Sequence, residues 1–100
     1  MIVISAVLKI DPARTADFAA AATTMTAATL EEPGCGSYRF AITCDDPSTA
    51  IVMEEWEDQA ALDLHFATPH MAAFREAVAG IMLAGSAATK YEVASKGPLF

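Results

Sequence analysis

The fold is decided by Ile51–Arg75, IVMEEWEDQAALDLHFATPHMAAFR. Ile51, Val52 and Met53 are strand formers, and their run continues to the aromatic Trp56. Asp58 follows as the cap of a helix that begins at Gln59, its carboxylate placed to accept a backbone N–H that the first turn leaves free. Thr68 caps a second helix, with Pro69 at its first position, where a missing N–H costs nothing. The stretch predicts a strand over 50–57, a short helix over 59–66 and a second helix over 69–83. His65 and His70 bracket the join between the two helices.

Working outward, Ile2, Ile4, Ala6, Leu8 and Ile10 share one face of a strand over 2–10, and Val3, Ser5, Val7 and Lys9 share the other. Both faces carry apolar residues, so both need cover. Asp11-Pro12 starts a helix that runs to about Glu32. Phe18, Ala22, Met25 and Thr29 recur along it at helical spacing and form its core-facing stripe. Pro33-Gly34 ends it. A strand over 35–43 places Tyr38, Phe40 and Ile42 on one face, and the polar cluster Asp45–Ser48 reads as a turn into the strand over 50–57. Gly85 breaks the chain before a last strand over 87–94. The order is β-α-β-β-α-β, a ferredoxin-like α+β domain over 1–95 with an antiparallel sheet. Residues 96–100 form a tail ending in the apolar pair Leu99-Phe100.

Composition bounds the function. One hundred residues make one domain, since single cores typically hold ~100–150 residues. The net charge of −7 comes from thirteen acids against six Lys and Arg, with no basic run. Nucleic acid is excluded as a partner on that ground, and polyanionic substrates are disfavoured. No apolar run reaches the ~20 residues of a membrane span, and Met1–Ile10 lacks a signal peptide's charged start, so a cytoplasmic location is expected. Cys35 and Cys44 read as free thiols. The high apolar content, 54%, suits a homodimer.

The ordered set W-E-D, A-L-D-L-H, T-P-H and F-R within 56–75, together with EEPGCGSYRF over 31–40, resembles the antibiotic biosynthesis monooxygenase family. These are small cofactor-free oxygenases. The I-V-M before the acids and the T-P-H-M stretch are most similar to the quinol monooxygenase subgroup. The resemblance implies a dimeric α/β barrel, with two sheets packed face to face. It also matches Arg75 to an arginine that some aromatic-polyketide oxygenases keep in their cavity. Two positions depart from those oxygenases. Val52 stands where they carry Asn, and Leu62 where they carry Tyr. Haem-degrading relatives supply an axial His near the position of Arg75, so haem ligation by that route is absent.

Each candidate residue has an ordinary reading beside its functional one. Trp56, the single tryptophan, is a core aromatic or the wall of a ring-binding slot. By strand parity it shares a face with Glu54 and Val52. Glu54 is a surface acid, or a base in an apolar pocket if that face meets the helices. His65 and His70 are helix-end residues or bases. They lie five positions apart, about 140° round an ideal helix, so only the break at Pro69 can bring them together. A metal would need a third ligand such as Glu54, and no metal or other cofactor is expected. Arg75 is a paired surface residue or a donor fork for an oxyanion.

The expected function is oxygenation of a small phenol or hydroquinone by dioxygen. Trp56, Tyr38, Val52 and Leu62 would line the slot, Glu54, His65 or His70 would be the base, and Arg75 would steady the anion. Two alternatives remain open. One is isomerisation of a small phosphorylated dicarbonyl, a chemistry found in the same family; it wants several phosphate donors, where Lys90 stands alone. The other is a ligand-binding dimer without catalysis.

Overall fold

The computed structural model describes residues 1–100. Its elements are β1 (Ile2–Lys9), a 3-10 turn (Pro12–Arg14), α1 (Thr15–Leu30), β2 (Cys35–Thr43), β3 (Asp46–Trp56), α2 (Gln59–Phe66), α3 (Pro69–Val78) and β4 (Ala87–Glu92). The four strands form one antiparallel sheet in the order β2-β3-β1-β4. This is the ferredoxin-like α+β arrangement. No helix is long and apolar enough to cross a membrane.

The alternation in β1 has its expected consequence. Ile2, Ala6 and the following Ile10 are buried, whereas Val7 on the opposite face is exposed. The four buried residues of α1 are Phe18, Ala22, Met25 and Thr29, the predicted stripe. Two apolar clusters result. One gathers Ile2, Met25, Tyr38, Trp56 and Leu62 at one end of the sheet. The other gathers Ile10, Phe18, Ala50, Val78 and Ile81 at the other end. Phe18, Phe40 and Phe74 join them, with ring centroids 5.5–6.3 Å apart in edge-on and tilted contacts.

Several boundaries differ from the sequence reading, four of them with consequences beyond a residue or two at an element's end or with a clear local cause. The first helix opens as a 3-10 turn because the Asp11 carboxylate accepts from Ala13 N at 3.0 Å, and Arg14 leaves helical geometry at φ −123°. The turn between β2 and β3 is only Cys44-Asp45, and β3 starts at Asp46. The polar side chains there satisfy one another. Asp46 accepts from Ser48 N at 2.9 Å, Ser48 Oγ at 2.5 Å and Thr49 Oγ1 at 2.8 Å. α3 stops at Val78, and the chain runs back so that Asp11 N bonds Ile81 O and Leu83 N bonds Lys9 O, both at 2.8 Å. Ile81 is thereby buried outside any helix. β4 ends at Glu92, two residues early. The tail carries no regular element, and Leu99 and Phe100 are exposed.

Gly34 has no substitute at its position. It sits at φ +84°, and a Cβ there would lie 2.7 Å from Ala61 Cβ. That close approach lets the loop after α1 pass against α2.

The Asp46 hydrogen bonds favour the ionised carboxyl and hold it down from 3.8 to about 2. A depressed carboxyl contributes stability above its unfolded value and loses it as pH falls through the folded one. Asp46→Asn should therefore lower the melting temperature at about pH 5, with the gap to wild type closing as pH falls towards about 2. A gap that stays constant across that range would contradict this assignment.

Candidate active site

The site grows from one row of cross-strand neighbours. Tyr38 of β2 pairs with Glu54 of β3, Glu54 with Ile4 of β1, and Ile4 with Lys90 of β4. The next row on the same face is Phe40, Val52, Ala6 and Ala88. One row carries the polar chemistry and the other is apolar. Together they floor a cavity of about 300 Å³, closed from above by Phe66 of α2 and by Met71 and Phe74 of α3. A second groove, between α1 and β2, is lined by Ala, Thr, Phe and Ile residues and offers no titratable group. Two further grooves carry titratable groups, one of about 420 Å³ beside Cys35, Glu55, Glu57 and Lys96 and one of about 220 Å³ beside His70; the Glu54 cavity is the one that sets a buried carboxylate in a mostly apolar lining.

Glu54 is buried, contrary to its ordinary reading as a surface acid. Its burial is made tolerable by Trp56, whose Nε1 donates to Glu54 Oε1 at 2.9 Å. Desolvation still raises the Glu54 pKa, the Trp56 hydrogen bond and the nearby His65 oppose the rise, and the charge of Glu32 adds to it. Burial also lifts the Tyr38 phenol far above its ordinary value, with the charges of Glu54 and Glu32 adding to the effect. At neutral pH Tyr38 is thus a hydrogen-bond donor at the cavity wall.

Behind the wall lies a second polar group. Thr68 caps α3 by accepting from Met71 N at 3.2 Å, and its hydroxyl donates to His65 O at 2.8 Å. This tight join turns His65, at the end of α2, and His70, in the first turn of α3, towards the end of α1. Both meet one oxygen there. Glu32 Oε2 lies 2.7 Å from His65 Nδ1 and 2.7 Å from His70 Nε2. His65 is fully buried, with its ring 4.6 Å from Trp56 and 5.6 Å from Tyr38. His65 Nε2 and the Thr29 hydroxyl have no hydrogen-bond partner.

The predicted site residues therefore divide. Tyr38, Val52 and Glu54 are on the cavity wall. Trp56 is fully buried behind Glu54, and Leu62 is core rather than wall. His65 and His70 come together as the break at Pro69 allows, but on Glu32 and off the wall. Arg75 is exposed on α3 and takes no part in the cavity. The cation that does line the cavity is Lys90, an exposed residue whose Nζ donates to Gln59 Oε1 at 3.0 Å. Glu32, Phe66 and Phe74 were missed, and Lys90 was weighed only as a lone phosphate donor. Glu32 looked like one more acid at a helix end, and nothing in the local sequence signals its two partners.

Glu32, His65 and His70 are the set with metal-ligand chemistry. Their spacing is that of hydrogen bonds. A cation would bond each ligand atom at ~2.0–2.2 Å and would need both facing nitrogens as lone pairs.

A small ferredoxin-like domain with an apolar cavity under two short helices is the class of protein defined here. The antibiotic biosynthesis monooxygenase family profile matches residues 1–77, and the chain belongs to that family. It is 35% identical over 75 residues to the uncharacterised protein sll1783 of Synechocystis sp., covering 75% of this chain and 51% of that one. It is 37% identical over 62 residues to the probable quinol monooxygenase YgiN of Escherichia coli, covering 54% of this chain and 60% of that one. The chain thus spans about half to three-fifths of the length of these relatives. In fold it is similar to a solved protein of Deinococcus radiodurans, with a TM-score of 0.90 at 20% identity, covering 100% and 99% of the two chains.

A raised carboxyl favours the folded state while protonated. Stability is fully present below the ordinary value of 4.5 and falls as pH rises towards the folded value. Glu54→Gln has no proton to lose. Between about pH 4 and about pH 8 its urea midpoint should rise relative to wild type. A wild type that loses no more stability than the variant over that range would contradict the raised value.

Proposed function

We propose that the protein is a cofactor-free monooxygenase of a small electron-rich aromatic, a phenol or hydroquinone. The observation that carries this reading is Glu54, a buried carboxylate on the wall of an otherwise apolar cavity. At about 300 Å³ the cavity is at the lower end of ligand pockets, which run roughly 300–1,000 Å³. That suits one or two rings. Val52 and Phe40 supply the flat apolar floor and Phe74 the roof.

Glu54 would take the phenolic proton, and its raised pKa brings it nearer the working pH of a general base. The neutral Tyr38 hydroxyl and the Lys90 ammonium would hold the resulting oxyanion. The electron-rich ring then reacts with dioxygen. One oxygen atom enters the ring and the other leaves as water, with every electron drawn from the substrate. The balance closes without a further reductant. Isomerisation of a phosphorylated dicarbonyl is the weaker reading, because Lys90 is the single cation on the wall.

We also read the open face of the sheet as the surface of a homodimer. Val7, Ile51, Met53 and Tyr91 are exposed on three adjacent strands there.

Oxygen uptake with a panel of hydroquinones tests the reading. Wild type should consume oxygen, and Glu54→Gln should lower turnover about 10²–10⁴-fold. Lys90→Ala should cost roughly 10–100-fold, the range for one charge-assisted hydrogen bond. Arg75→Ala should stay within about twofold, as for a surface change. Undiminished uptake by Glu54→Gln would remove Glu54 as the base. Light scattering of the same preparation should return a dimer, and a monomer would remove the sheet-face assignment.

A further inference from the structure

Outside the cavity, side chains from three parts of the chain bring their polar atoms to one point. Glu32 lies just past the end of α1, His65 is in the last turn of α2, and His70 is in the first turn of α3. Glu32 Oε2 is 2.7 Å from His65 Nδ1 and 2.7 Å from His70 Nε2, and the three atoms all lie within 4.8 Å of one another. Two imidazole nitrogens and a carboxylate oxygen are ligands that suit a borderline divalent cation. None of the three residues lines the Glu54 cavity.

In the metal-free chain the cluster is held by hydrogen bonds. A carboxylate oxygen only accepts, so each facing nitrogen carries its ring's proton. Ligation would use the same three atoms. In a tetrahedral site with bonds of ~2.0–2.2 Å, neighbouring ligand atoms stand about 3.3–3.6 Å apart. The Glu32 oxygen then has to draw back by about 0.6–0.9 Å from each nitrogen. That is a small swing for a long side chain carried on residues 31–34, which form a turn outside any helix or strand. Three protein ligands leave a fourth position for water. The His70 side chain is 24% exposed and marks the way in, whereas the His65 side chain is fully buried.

Burial sets the strength of such a site. Ligation through Nδ1 puts the single proton of a neutral His65 on Nε2, which has no hydrogen-bond partner. An unmet buried donor weakens binding by roughly 10–100-fold. The nearly buried Glu32 carboxylate gains the cation's charge in return.

We propose that Glu32, His65 and His70 form a binding site for a divalent cation of the Zn²⁺ class, which ties the end of α1 to the join between α2 and α3. The ligands are Glu32 Oε2, His65 Nδ1 and His70 Nε2. Because the cluster is off the cavity wall, the cation clamps the helices that roof the cavity and takes no part in the reaction proposed above. The site stands or falls independently of that reaction.

Calorimetric titration of the chelator-treated protein with Zn²⁺ tests it. One ion should bind per chain, with Kd in the micromolar range, and saturation should raise the melting temperature. Mg²⁺ should not compete, because it disfavours imidazole ligands. Glu32→Gln and His70→Gln should each weaken Zn²⁺ binding at least about 100-fold. Long-range 1H–15N spectra of wild type give a readout that needs no variant. On loading, His65 Nδ1 and His70 Nε2 should lose their protons and shift, and the remaining ring protons should move to His65 Nε2 and His70 Nδ1. Three results overturn the proposal. They are no Zn²⁺ binding below millimolar concentration, binding that either variant or excess Mg²⁺ leaves or makes equal to wild-type binding of Mg²⁺, and saturation that leaves the two facing nitrogens protonated. If a variant fails to fold, the wild-type titration and spectra decide.

Discussion

A carboxylate inside a small hydrophobic domain is stable only if something holds it. Here the holder is the indole of Trp56, which ends β3 and donates to Glu54 two residues earlier on the same strand face. The arrangement follows from strand geometry, because residues two apart point the same way. Trp56 is itself fully buried against His65 and Leu62, so the hydrogen bond has little freedom to break. Around this bond the rest is arranged. α2 packs on Trp56 and brings His65, α3 roofs the cavity, and Glu32 closes the cluster from the end of α1.

The two faces of the sheet do different work. The helix-facing side carries Tyr38, Glu54 and Lys90 in one row, with an apolar row beside it. Polar atoms reach the cavity at one end only, and a bound ring would be oriented by that asymmetry. The opposite side carries exposed Val7, Ile51, Met53 and Tyr91. An exposed apolar patch of this kind is what the homodimer proposed above would cover.

Much of the fold was legible. The period of four and three in Phe18, Ala22, Met25 and Thr29 named the buried stripe of α1, and Asp58 and Thr68 cap the helices they were expected to cap. The polar run Asp46–Ser48 was misread because composition alone cannot show that its side chains bond to one another along a strand. The segment after Val78 was misread because its hydrogen bonds run to β1, far away in sequence. The site was half legible. Strand parity put Glu54 with Trp56 and Val52, and the Pro69 break allowed the two histidines to meet. Glu32 was invisible because it acquires its partners on other elements, 33 and 38 residues away, and Lys90 was weighed only as a lone phosphate donor. Arg75 was assigned by resemblance, and its helix turns it to solvent.

The central claim is that the reacting ring binds in the cavity under Phe74 with an oxygen on Glu54. A crystal structure with a redox-inert phenol or resorcinol bound tests it most directly. The account predicts density between Val52, Phe40 and Phe74, with the hydroxyl within hydrogen-bond distance of Glu54 and Tyr38. A ligand that occupies only the groove between α1 and β2, or only the open face of the sheet, would contradict it.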